Sequence, residues 1–223
     1  MEAYALTDVG QKRSMNQDSV YACTKSIGSL ENLVRFFETP YPERDVHGIL
    51  KEGIRKVNRD LYECTSRDPK LNGAGSTLVL ATIKGSVLYV ANIGDSRLYL
   101  LREALEQITK DHSYVEELVA MGKLKRGSRD YLEKKNIITR AVGVSAQVDT
   151  DLFALKLKSG DQILMCSDGL SNMVDELEIE YIIRSEDGVE SRAKALVDAA
   201  NRSGGLDNIS VVLVEPQISE VSL

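Results

Sequence analysis

The feature that most constrains the fold is a succession of short apolar runs, separated by brief turns, between residues 76 and 101. Residues 76–83 and 86–93 read as strands, and Lys84-Gly85 between them is short enough for a tight hairpin turn. Residues 97–101 form a third run. Strands joined by such short connections pair antiparallel, because parallel neighbours need a crossover of a dozen or more residues. The sequence therefore predicts an antiparallel sheet.

Later apolar runs extend the same pattern. Phe153, Leu155 and Leu157 alternate with smaller or polar residues, which indicates a half-buried strand. Ser159-Gly160-Asp161 turns the chain into a strand over residues 162–166, and residues 209–214 supply a last strand. A first strand is expected beside Asp18.

Amphipathic helices are fewer and longer. Residues 46–64 carry one apolar stripe, at Ile49, Leu50, Ile54, Val57 and Leu61. Residues 189–202 carry a second stripe, at Ala193, Leu196, Val197 and Ala200. Residues 176–184 are expected to be helical, and residues 113–136 to mix a short helix with charged loop.

These elements predict an α+β fold in which two mostly antiparallel β-sheets form a sandwich flanked by helices, an α-β-β-α arrangement. The 223-residue length fits one domain, predicted over residues 1–216, followed by a tail at residues 217–223. Residues 113–136 would form a flap on this domain.

Composition excludes several classes of protein. The net charge of −6 argues against nucleic-acid binding, and no apolar run is long enough to predict a membrane span. The start lacks the basic and apolar regions of a signal peptide, so a cytoplasmic location is expected. A disulfide scaffold or zinc ribbon is not expected from three widely spaced cysteines without a Cys-x-x-Cys pair, Cys23, Cys64 and Cys166. Cys166 lies inside an apolar run and is expected in the core.

Four aspartates stand beside predicted strands, at Asp18, Asp95, Asp168 and Asp207. Each alone is explained by turn chemistry. Brought to one end of a sandwich, such carboxylates would repel each other unless they were protonated or bridged by a cation. Oxygen ligands of this kind suit Mg²⁺ or Mn²⁺. A histidine-rich metal site is not expected, because the only histidines are His112 and His47, the latter predicted at the surface.

Seven motifs together resemble the bacterial type of PP2C (PPM family) metal-dependent protein serine/threonine phosphatases. They include Arg13-x-x-Asn16-Gln17-Asp18 and Gly94-Asp95-Ser96-Arg97, and they occur in the order of that family from residue 7 to residue 210. The motifs occupy residues 7–19, 73–78, 91–97, 109–113, 138–143, 166–170 and 205–210.

The resemblance implies a role for each matching position. Asp168 and Asp207 match metal ligands, and Asp18 matches an acidic position that holds metal-bound water. Arg13 matches the arginine that binds the substrate phosphate, and Asp111 matches a ligand of a third metal ion. Three residues match positions beside the metal site, namely Gln17, Asn208 and Gly169. Asp95 and Arg97 are expected to hold strands together.

The resemblance also implies a reaction and its participants. Two Mn²⁺ or Mg²⁺ ions, with a third in bacterial members, would activate a water molecule that hydrolyses phosphoserine or phosphothreonine on proteins. The expected partners are phosphoproteins, among them a serine/threonine kinase and its substrates, and a monomer is expected. The flap would influence which phosphoprotein docks.

One family motif, Asp-Gly-x-Gly-Gly-His, is absent after residue 20. Its Asp bridges two metals in the family, so its loss would weaken the second metal most. Residues 32–38 resemble the end of the helix that follows this motif. Either the natural protein has a segment that this sequence omits, which we favour, or the deletion is real and the chain is a non-catalytic phosphatase-like binding or regulatory protein. An intact mass equal to 24.6 kDa would count against the omission.

Overall fold

The computed structural model describes residues 1–22, 46–185 and 187–218, and within them two antiparallel sheets form the centre of the molecule. The larger sheet has the order β1-β8-β7-β4-β5, and the smaller has the order β2-β3-β6. The strands are β1 Glu2–Asp8, β2 Leu78–Lys84, β3 Val87–Ile93, β4 Arg97–Leu101, β5 Leu105–Gln107, β6 Asp151–Lys156, β7 Gln162–Cys166 and β8 Ile209–Glu215.

Helices lie outside the two sheets. In the described residues they are α1 Val46–Arg67, α2 Tyr114–Ala120, α3 Arg129–Lys134, α4 Asp168–Ser171, α5 Glu176–Ile183 and α6 Val189–Arg202, with a short 3-10 turn at Pro69–Leu71.

Three apolar clusters join the layers. Alternation along β4 sends Leu98 and Leu100 into the cluster between the sheets, and Tyr99 and Leu101 into the cluster under α5 and α6. The third cluster packs Ile54 and its neighbours on α1 against the outer face of the small sheet. The order is helix, sheet, sheet, helix, which confirms the α-β-β-α sandwich predicted from the sequence.

Most predicted elements are confirmed with small shifts of their ends. The hairpin at Lys84-Gly85 is present, and Gly85 adopts φ +60°, which glycine takes at little cost. Cys166 is buried as predicted. The predicted helix at residues 32–38, and Cys23, lie outside the described residues.

Three features differ from the sequence-based expectation. The strand β5 is only three residues long, too short to show an alternating pattern. The helix α4 is a single turn directly after a strand. His47 is half-buried rather than on the surface, because its ring packs edge-on against Tyr89 at 5.4 Å between ring centroids.

Among the described residues, no helix is both long and apolar enough to cross a membrane. The predicted domain limits, 1–216 and 217–223, remain a prediction.

Candidate active site

Strand register brings four loops to the same end of the strands of the large sheet. Cys166 at the end of β7 pairs with Arg97 at the start of β4 and with Val211 near the start of β8. Asp8 at the end of β1 pairs with Ile209. The loops that carry the four aspartates singled out in the sequence therefore lie at the same end of the sheet. These aspartates are Asp18, Asp95, Asp168 and Asp207.

Glycines allow these loops to touch. A Cβ on Gly169 would lie 1.9 Å from the carbonyl oxygen of Asn208, and one on Gly10 would lie 2.2 Å from that of Asp207. Heavy atoms cannot approach so closely, so both positions require the absence of a side chain. Gly10 also has φ +77°, which disfavours other residues. Gly169 thus holds Asp168 against the segment that carries Asp207.

Asn208 fixes the loop after β1. Its side chain is buried, accepts a hydrogen bond from the backbone N–H of Gln17 at 2.8 Å, and donates to the carbonyl oxygens of Val9 and Met15, both at 3.0 Å. These bonds position Arg13 and Asp18 beside the β8 loop. Asn208 and the backbone of Gln17 thus lie beside the segments that carry Asp18 and Asp207, and their predicted role next to a metal site stays a prediction.

Three of the predicted residues form a carboxylate cluster, Asp18, Asp168 and Asp207. Burial and the nearby charges of Asp207 and Asp18 raise the pKa of Asp168. Asp207 accepts a 2.8 Å hydrogen bond from the Arg13 guanidinium, and Asp18 accepts one of 2.7 Å from the Ser210 hydroxyl. The cluster carries a surplus of negative charge in partly buried surroundings, and a cation would relieve it.

A pocket of about 140 Å³ opens beside this cluster, lined by Asp95, Asp111 and Asp168 among others. Burial, and next the charge of Asp168, raise the pKa of Asp95 to about 6. The sequence had suggested for Asp95 a role in holding strands together, whereas its side chain faces this pocket. The sequence held a signal for this role, because Asp95, like the other three aspartates, stands beside a predicted strand.

Asp111 is engaged by protein groups. Arg97 donates to both of its oxygens, at 2.7 Å from Nη2 and 3.0 Å from Nε, and Gln107 donates to one at 2.8 Å. Arg97 also reaches the hydroxyl of Tyr99. Arg97 thus ties β4 to the segment before the flap, in keeping with its predicted structural role. The predicted role of Asp111 as a metal ligand stays a prediction.

The flap forms one wall of the pocket through Tyr131, Leu132 and Lys135, residues that sequence reasoning did not single out. Its two short helices, α2 and α3, are tied together by Glu116, which accepts hydrogen bonds from Arg126 and from the Tyr131 hydroxyl at 2.7 Å. Burial lowers the pKa of Lys135, and the nearby Asp168 opposes that effect.

The donor chemistry of the cluster fits hard divalent cations, because every candidate ligand is a carboxylate oxygen. The three carboxylates lie near enough to influence one another's charge, but they are not arranged as a ready metal site: within residues 1–22, 46–185 and 187–218, no group of three or more His, Cys, Asp or Glu side chains is placed so that it could hold a metal ion.

Comparisons with known proteins agree with the resemblance to PP2C-type phosphatases. The family model described as Protein phosphatase 2C matches residues 10–118. The serine/threonine phosphatase Stp of Listeria monocytogenes is 40% identical over 172 residues, covering 77% of this chain and 68% of the relative. A solved structure, the catalytic domain of the serine/threonine protein phosphatase PstP in complex with two manganese ions, superposes with a TM-score of 0.81 at 30% identity, covering 95% of this chain and 96% of that one.

A second relative bears on the length of the chain. The protein phosphatase PhpP of Streptococcus pneumoniae is 34% identical over 240 residues, covering 96% of this chain and 97% of the relative. That match is longer than the 223 residues of this chain, so some positions of the relative have no counterpart here. Because these similarities extend over nearly all of the chain and of PhpP, the chain belongs to the protein phosphatase 2C family.

Proposed function

We propose that this protein hydrolyses phosphoserine and phosphothreonine on other proteins with the help of Mn²⁺ or Mg²⁺. The observation that carries the proposal is the partly buried carboxylate cluster of Asp18, Asp168 and Asp207, in which Asp168 has a raised pKa. The names of the relatives, and the two manganese ions of the PstP structure, support the proposal.

Asp168 and Asp207 would hold a divalent cation, and Asp18 would hold a water molecule next to it. When bound, the cation would polarise the phosphoryl group and lower the pKa of water. The number of ions is proposed as two, with the second bound more weakly here because the bridging Asp is absent. A third ion at Asp111 would require that carboxylate to give up a hydrogen bond from Arg97.

Arg13 would bind the substrate phosphate. Its side chain is 52% exposed and contacts Asp207 through a single Nη2 hydrogen bond. If Asp207 were engaged as a metal ligand, Arg13 would be freer to leave it, and its planar guanidinium could bind two phosphoryl oxygens. A water molecule held by Asp18 would attack phosphorus in line. The bond between phosphorus and the serine or threonine oxygen would break, and the two protons of the water would end on the released side-chain hydroxyl and on the phosphate.

Substrate choice is proposed to depend on the flap, whose Tyr131, Leu132 and Lys135 face the pocket beside Asp168. Phosphoproteins are the proposed partners. They include a serine/threonine kinase and the proteins that it phosphorylates. The cytoplasm and a monomeric state remain expectations.

The test is hydrolysis of a phosphothreonine peptide by the 223-residue chain, measured as phosphate release in Mn²⁺ and in EDTA. We expect Mn²⁺-dependent turnover that falls by at least about a hundredfold in Asp168→Asn, because a ligand is lost. The matched control is Asp198→Asn, an exposed carboxylate on α6, which should keep full activity.

Turnover that Asp168→Asn leaves unchanged would contradict the proposed site. Absence of turnover in a folded protein would contradict the proposed activity of this chain. That second outcome would support the alternative of a phosphatase-like binding protein, which the names of the relatives do not favour.

A further inference from the structure

His112 lies at the base of the flap and is buried, with 6% of its surface exposed. The Gly94 backbone N–H donates to its Nδ1 at 3.0 Å, so Nδ1 carries a lone pair and the proton of a neutral ring is on Nε2. Nε2 lies 3.2 Å from Asp151 Oδ2, to which its N–H donates. Arg140 Nη1 also lies 3.2 Å from Nε2, but both of these nitrogens carry protons in this tautomer, so Asp151 is the acceptor for Nε2. Both ring nitrogens therefore have hydrogen-bond partners, and those partners select one tautomer.

Each partner of the ring belongs to a different part of the molecule. Gly94 precedes Asp95 in the turn that brings that carboxylate to the pocket beside Asp168. Asp151 begins β6 and also accepts a 2.8 Å hydrogen bond from Arg140, which follows the flap. Although burial opposes it, hydrogen bonds from His112 and Arg140 lower the pKa of Asp151.

The backbone of His112 joins the same two regions. Its N–H donates to the Gly94 carbonyl oxygen at 2.9 Å, and its own carbonyl oxygen accepts from the Thr139 N–H at 2.8 Å. One residue further on, Ser113 forms a β-bridge with Ile138. The entry and the exit of the flap thus meet at His112.

The turn itself has little freedom to move independently of His112. Gly94 has φ +106°, and a Cβ there would lie 2.4 Å from the Thr77 side chain. The buried Asn92 side chain donates to the carbonyl oxygens of Gly94 and Lys110, at 3.3 and 3.1 Å. The turn and the segment before the flap are therefore held as one unit, with the imidazole as the group that extends it to Asp151.

We propose that His112 is a positioning residue that couples the seating of the flap to the placement of Asp95, so that the two walls of the pocket move together. The flap wall contributes Tyr131 and Lys135, and the turn contributes Asp95. The catalytic meaning of this coupling rests on the proposed function, but the coupling itself is a property of the folded chain.

The test is hydrogen exchange in the intact protein, followed by mass spectrometry of peptides that cover residues 92–98 and 114–136. Two variants each remove one partner of the imidazole. In His112→Gln the longer amide can still reach Asp151 but lacks the acceptor for Gly94, and in His112→Asn the shorter amide can accept from Gly94 but cannot reach Asp151.

We expect either variant to raise exchange in both peptides, by about tenfold or more, because a cooperative unit opens as a whole. Exchange that rises in the 92–98 peptide alone for His112→Gln and in the flap peptide alone for His112→Asn would overturn the proposal, as would no change in either. Exchange does not require turnover, so this result is separate from the success or failure of the proposed function.

Two further variants guard against a general loss of stability. Arg192→Met removes another buried polar side chain, which extends from α6 and donates hydrogen bonds to Gln162 and Glu215. This variant should leave hydrogen exchange in both peptides unchanged relative to the rest of the protein. If a His112 variant fails to fold, Asp151→Ala removes the Nε2 partner without altering the ring and should raise exchange in both peptides.

If the chain turns over phosphopeptide, the effect of His112→Gln on kcat should vanish in an Asp95→Asn background. A residue that acts only on global stability would give additive losses instead, and additive losses would overturn the coupling to Asp95.

Discussion

Burial, and next the charge of Asp168, raise the pKa of Asp95 to about 6. Near pH 6 this carboxyl group is therefore still partly protonated, whereas an Asp with the ordinary pKa of 3.8 is ionised. Asp168 itself has a raised pKa for the same kinds of reason. Two adjacent aspartates with raised pKa values are costly to keep ionised in a folded protein. Such groups indicate a site arranged for a charged ligand rather than for stability.

This arrangement predicts a specific pH dependence of stability in EDTA. The pKa of Asp95 in the folded state, about 6, lies above its ordinary value of 3.8, so the folded state binds more protons between these limits. The contribution of Asp95 to the stability of the folded state therefore falls as the pH rises from its ordinary pKa of 3.8 to about 6. We expect Asp95→Asn to melt above the unaltered protein at pH 7, with the difference shrinking towards pH 5.

The measurement is the melting temperature at both pH values, with the exposed Asp198→Asn as control. A melting temperature of Asp95→Asn that stays below that of the unaltered protein at pH 7 would contradict this account.

At the scale of elements, the site depends on contacts between loops that only glycine permits. The one-turn helix α4 begins at Asp168 directly after β7, and its Gly169 lies against the backbone that leads into β8. A side chain at this position would push apart the segments that carry Asp168 and Asp207.

We expect Gly169→Ala to lower the free energy of unfolding by about 1–3 kcal/mol, because the added Cβ would lie 1.9 Å from the Asn208 oxygen and force a backbone shift. Chemical denaturation measures this change. Gly188→Ala is the matched control, since nothing lies within 4 Å of a Cβ there, and we expect it to change stability by less than about 1 kcal/mol. Equal effects of the two substitutions would contradict the close contact.

For the whole molecule, the carboxylate cluster joins β1, β7 and β8 of the large sheet through the loops at their ends. A cation bound there would bind the folded state and not the unfolded chain, in which these segments are far apart. Binding should therefore stabilise the entire sandwich.

We expect Mn²⁺ at a hundred times its Kd to raise the melting temperature by about 5–10 °C, the shift that follows from linkage for a domain of this size. Thermal melts in Mn²⁺ and in EDTA measure it, and Asp168→Asn should abolish the shift. The same shift in that variant would show that the ion binds elsewhere.

Local sequence was sufficient to predict most of the fold. The apolar runs at residues 76–101 and the short turn at Gly85 predicted antiparallel strands. Apolar stripes on helices, such as that of residues 46–64, predicted helices that pack against the sheets. Alternation of side chains and helical periodicity are local properties, so they can be read without knowing the tertiary structure. The family motifs then identified Arg13, Asp168 and Asp207 as candidates for one site.

Only the tertiary structure decided how those residues meet. It placed Asp95 in the pocket and engaged Asp111 with Arg97. It also gave His112 partners from three separate segments, at Gly94, Thr139 and Asp151. These outcomes depend on strand register and on burial, which arise from contacts between residues far apart in the chain. Local sequence determined the elements and the candidate carboxylates, and long-range packing determined which of them share a site, because the charge state and partners of a side chain depend on what surrounds it in space.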